Sequence, residues 1–192
     1  MIELAEAVPR AAIQLLRDLL VRSSARFEEK RVGECDLNIH VQSLCISETG
    51  GLYGSWLFLV SVVGPGIGDE SVCQAEHADE VDQTPLIGFT PTHAVKVVAF
   101  CNRPVDHVVT ALLTAAVVDV IGGIVNAELR EDQVSLVAGP PGVIATTTWP
   151  WPAVYGSAEF LRAWARLPAS GCCSSRNSTS QLRPVVPDCA TD

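Results

Sequence analysis

Residues 104–123, PVDHVVTALLTAAVVDVIGG, constrain the fold more than any other stretch of the chain. Read as a helix, the segment has a narrow polar side (Asp106, His107, Thr110 and Thr114) and is apolar around most of its circumference. Such a helix must be covered on most sides by other elements. Asn102 fits its N-cap, Pro104 its first turn, and Gly122–Gly123 its end. Its uncharged apolar run, Val108–Val118, is far too short to span a bilayer.

The remaining segments supply that cover. After Pro9, Ile13, Leu16 and Leu20 recur at helical spacing, with Arg10, Gln14, Arg17 and Asp18 opposite. Residues 157–167 form a third helix, with Ser157 as N-cap and Phe160, Leu161, Trp164 and Leu167 on its apolar face. Residues 35–46 alternate as a half-exposed strand (Leu37, Ile39 and Val41 against Asn38, His40 and Gln42), and 55–64 are a nearly continuous apolar strand, so the two pair as a hairpin. Residues 93–101, 124–129 and 143–149 read as further strands. IELAEA (2–7) fits a strand or a helical turn, RFEEKRVGE reads as a charged connection, and 64–85 as a long loop, Gly-rich and then acidic. The expected fold is α+β: one domain over 1–167, a mostly antiparallel sheet of four to five strands with about three helices packed on it. From Pro168 periodicity stops, so 168–192 is expected to be a disordered tail.

Composition narrows the function classes. The net charge is −9 and no Lys/Arg cluster occurs, which excludes a nucleic-acid footprint. Glu3 and Glu6 stand where a signal peptide would carry positive charge, so the chain reads as a soluble, cytoplasmic protein with no membrane partner. The seven cysteines are scattered without CxxC spacing, as free thiols would be.

Four stretches invite a chemical reading. AFCNRPVDH (99–107) holds Cys101, Asp106 and His107 near a helix N-terminus, where a thiol can be activated. Strand end, N-cap and first turn account for each of these residues without catalysis. GPGIGDE (64–70) is similar to a piece of a phosphate loop, yet an acidic loop, not a helix, is expected to follow. EHADEVD (76–82) lacks the EF-hand order of ligands, and the histidines at 40, 77, 93 and 107 are too dispersed for a zinc site, so neither metal nor cofactor is expected. TTTWPWPAVYGS (146–157) suits either an aromatic platform or an edge strand ending in a rigid turn.

Residues 2–41, IELAEAVPRAAIQLLRDLLVRSSARFEEKRVGECDLNIHV, the AFCNRPVDH stretch followed by a helix ending GGIV, and the late AEFLRAW together resemble a family of small uncharacterised proteins, many of them bacterial, catalogued as domain of unknown function 6368. The resemblance covers residues 1–167 and implies no activity and no catalytic residues. Members are similar in size and style to bacterial immunity proteins. The tail departs from the family pattern and looks like an alternative C-terminal segment.

The function expected from these features is non-enzymatic: a protein-binding, immunity-protein-like domain. Its acidic loop carries Asp69, Glu70, Glu76, Asp79, Glu80 and Asp82 with no Lys or Arg among them, and would meet a basic protein partner. The rival expectation is a small enzyme using Cys101 and His107, or the loop carboxylates, in a thiol or hydrolytic reaction.

Overall fold

The computed structural model describes residues 1–44, 55–68, 70–78, 82–100 and 104–167. The Ile2–Leu4 segment is strand β1, and α1 (Arg10–Ser23) runs directly into β2 (Ser24–Arg31). Then come β3 (Glu34–His40), a 3-10 turn at Val41–Leu44, β4 (Ser55–Val63), α2 (Glu70–His77), α3 (Thr84–Ile87) and β5 (His93–Ala99). The chain continues through α4 (Pro104–Ile121), β6 (Ile124–Glu128), β7 (Val143–Thr147), β8 (Ala153–Gly156) and α5 (Ala158–Trp164). All eight strands join one sheet in the order β2-β3-β4-β5-β1-β6-β8-β7, and every pairing is antiparallel.

The α+β architecture and the antiparallel sheet are as the sequence implies. Among the described residues the element count is larger: eight strands rather than four to five, and five α-helices rather than three. β2 is the stretch read as a charged connection. It is an edge strand whose outer positions are charged, so only Phe27 packs towards the core and apolar alternation is nearly absent. β8 is masked in sequence by the prolines at 150 and 152 just before it, although all four of its residues are buried. The segment read as a long loop folds instead into α2 and α3. Expectations for Cys101, Asn102 and the 168–192 tail fall outside the described residues.

Period-2 alternation decides which side chains enter the main core. Cys35, Leu37 and Ile39 from β3, with Trp56, Phe58, Val60 and Val62 from β4, point to one face. Leu16 and Leu20 of α1, Val109, Leu113 and Val117 of α4, and Phe160 and Leu161 of α5 pack onto that face. The long apolar helix α4 lies between α1 and α5 against the sheet, which gives the all-round cover its composition demands. Ser157 caps α5, its hydroxyl accepting from the Glu159 N–H at 3.2 Å.

Only three residues long, β1 is nevertheless central, bonded to β5 on one side and β6 on the other. Ile2 and Leu4 enter the main core. Gly123, at φ +93°, closes the α4–β6 turn so tightly that a Cβ there would lie 2.7 Å from the Glu3 carbonyl oxygen. Glu3 itself points to the other face of the sheet, and the candidate site is built there.

Candidate functional site

Between Ile2 and Leu4 the pleat sends Glu3 away from the helix layer, where it is 0 % exposed. A buried carboxylate costs several kcal/mol unless it is paired and hydrogen-bonded. Here both oxygens are engaged. Asn126 on β6 donates its Nδ2 to Oε1 at 3.1 Å, and His77 Nε2 lies 2.9 Å from Oε2. The Asn126 carbonyl in turn accepts from the Met1 ammonium at 2.8 Å.

His77 sits in the last turn of α2, and its Nδ1 lies 2.7 Å from the Cys73 carbonyl oxygen. A carbonyl only accepts, so Nδ1 donates to it, and with Nε2 set against the Glu3 carboxyl the ring is held at both nitrogens between helix backbone and sheet. Cys73 is buried one turn earlier, its sulfur 3.8 Å from His77 Nδ1 and 3.9 Å from the Thr92 carbonyl. With Val63 and Ala94 it forms a second small apolar cluster, against which Met1 and Val72 pack. Side chains of α2 therefore divide: Val72, Cys73 and His77 face the sheet, while Glu70, Ser71, Gln74 and Ala75 are exposed.

Thiol, imidazole and carboxylate stand in sequence here, the layout of a nucleophile, its base and an orienting acid. The details oppose that chemistry. Burial, and then the nearby Glu3 and Glu70 carboxylates, push the Cys73 thiol up from its ordinary value, whereas a nucleophilic cysteine is pushed down. The Nδ1 proton is also committed to the backbone. The arrangement does something else well: it clamps α2 to the centre of the sheet.

Of the six acidic residues singled out in sequence, Glu70 opens α2, favoured there by the helix dipole, and accepts from Gln74 at 3.3 Å. Asp82 is exposed and accepts from the Thr84 N–H at 2.9 Å; its hydrogen bonds to Thr84 hold its carboxyl below the usual value. The backbone of Glu76 belongs to α2. Asp69, Asp79 and Glu80 lie outside the described residues, as does Cys101 of the rival reading. His107 is exposed on α4, far along the chain from the clamp.

A helix does follow the Gly64–Gly68 run, contrary to expectation, but the glycines serve packing. Gly64 and Ile67 bond each other at 3.1 Å in both directions, and a Cβ on Gly68 would meet the Val62 carbonyl oxygen at 2.2 Å. The tryptophan stretch lies at the sheet edge, where β7 is the last strand. Exposed Trp149 and Trp151 line a shallow pocket with Thr147, Asn126 and Tyr155.

Glu3, His77 and Asn126 were not legible as a set, being separated by up to 123 residues. The available signal was one acid between two apolar residues in a segment that can form a strand. Among the described residues, no group of three His, Cys, Asp or Glu is placed to hold a metal ion, and no helix is long and apolar enough to cross a membrane.

No curated protein and no solved structure matches the chain. A family model does, over residues 1–169, and the chain belongs to that family, described as a family of unknown function (DUF6368).

Proposed function

We propose that this is a non-enzymatic protein-binding domain, of the immunity-protein kind, whose acidic segment around α2 meets a basic partner. The observation that supports it is the clamp. By fixing the Cys73–His77 side of α2 on the sheet, it leaves Glu70 presented from a helix whose position is set by the core. Acids held in place focus the field of a chain with net charge −9, and such a field accelerates encounter more than it deepens affinity.

Association kinetics with a purified partner test this reading. Replacing Glu70, Asp79, Glu80 and Asp82 with Gln or Asn is expected to slow association about tenfold at low salt. Raising the ionic strength should slow the wild type towards the same rate. A partner whose association rate ignores both changes would refute the reading.

A further inference from the structure

Val125 and Val154 enter the core beneath the helices, so the pleat turns their neighbours Asn126, Ala153 and Tyr155 to the opposite face of the sheet. Tyr155 is 3 % exposed and Asn126 8 %, and both line the shallow pocket at this end of the sheet. Trp149 and Trp151 line it too, and they are 71 % and 41 % exposed. The turn that carries these indoles is fastened at both ends. Thr147 Oγ1 donates to the Trp149 carbonyl at 2.9 Å and accepts from the Trp149 N–H at 3.3 Å. The Leu129 N–H donates to the Pro152 carbonyl at 2.8 Å. Aromatic side chains on a fixed turn lose little freedom when a ligand covers them, and grooves lined this way take polyproline II segments.

A segment of that kind stands in this chain. Pro184 and Pro187, in RPVVP (183–187), are its one pair of prolines spaced three apart. Polyproline II has three residues per turn, so this spacing puts both rings on the same edge. The segment can reach the pocket. The last described residue, Leu167, follows α5 on the helix side, and β7 and β8 are the two outermost strands, about 4.8 Å apart. The sixteen residues 168–183 span about 22 Å as a coil and up to about 55 Å extended, enough to round that edge. Glu128 lies on the same face, opposite Ala153 and two positions from Asn126; it is exposed and has no ion pair among the described residues.

We propose that residues 183–187 of the chain's own tail dock in this pocket, with Pro184 and Pro187 on the indoles of Trp149 and Trp151 and Arg183 beside Glu128. Tethering gives the segment an effective concentration in the millimolar range, so modest contacts suffice, whereas a similar peptide on another protein lacks that advantage. The docked motif requires no other order in the tail, and it stands or falls independently of the role of α2.

The test places benzoylphenylalanine at Asp188 of the full-length chain, next to Pro187, and irradiates the purified protein at low concentration. The otherwise wild-type chain is compared with the double variant Pro184→Ala with Pro187→Ala, and with Trp149→Ser. Trp149 is exposed and its two hydrogen bonds to Thr147 use its backbone, so the fold should survive; melting curves check this, and Trp151→Ser replaces it if it does not. The expected result is a crosslink within one chain from position 188 to residues 147–155, reduced at least about fivefold by the proline pair and by the tryptophan change. Crosslinks spread over the chain, crosslinks between two copies, or a yield indifferent to either change would overturn the inference.

Discussion

At the scale of single residues, the pair that organises the molecule is Glu3 with His77. Neither has an apolar reason to be where it is, and each satisfies the other. Removing one partner leaves a buried charge with only Asn126 to bond it, so His77→Ala should cost about 3 kcal/mol of stability. His77 is itself 21 % exposed, and water entering the space would reduce the loss. The double change Glu3→Leu with His77→Leu should cost less than the sum of the two single changes, because it removes the charge and its partner together. Urea titrations of the four proteins measure this, and strict additivity would show that the two side chains are not coupled.

At the scale of elements, legibility followed apolar periodicity. α1, α4 and α5 bury wide stripes, and their sequences announce it. β3 and β4 alternate or run continuously apolar, and they pair as a hairpin would. α2 was hidden because its inward side consists of Val72, Cys73 and a histidine, and the histidine's partner lies 74 residues away. β2 was hidden because an edge strand is protected by the charges that make it resemble a loop. β1 depends on context altogether: three residues become a central strand only because β5 and β6 bracket them. That bracket is tight at Gly123, where an added Cβ would press on Glu3, Leu4 and Ile2 at 2.7–2.8 Å in a backbone conformation that favours glycine. Gly122, at φ +76°, has open space at the same position. Gly123→Ala should therefore cost about 3 kcal/mol and Gly122→Ala about 1 kcal/mol. Equal losses in thermal melts would mean that the approach of the turn to β1 is not what fixes the glycine.

At the scale of the whole molecule, one sheet separates two unlike environments, a broad apolar core beneath three helices and a smaller, partly polar layer beneath α2. The core side has its own pH signature. Burial pushes the Cys35 thiol from its ordinary 9.0 up to about 11. As pH rises past 9 the unfolded chain ionises this thiol while the folded chain keeps it neutral. The stability it contributes is thus full below pH 9 and is lost as pH climbs towards 11, by at most roughly 2–3 kcal/mol. Comparing Cys35→Ala with the wild type isolates this slope from the other groups that titrate there, and parallel stability curves between pH 9 and 11 would contradict it. The proposed protein-binding role rests on the other side, where Glu70 is to be presented from a helix locked to the sheet through Glu3 and His77. Amide hydrogen exchange measures that lock most directly. In the wild type the α2 amides should be protected well beyond an unstructured peptide, and in His77→Ala they should lose that protection while β4 and β5 keep theirs. If residues 70–77 of the wild type exchange as fast as free peptide, or if His77→Ala leaves their protection unchanged, the clamp does not exist.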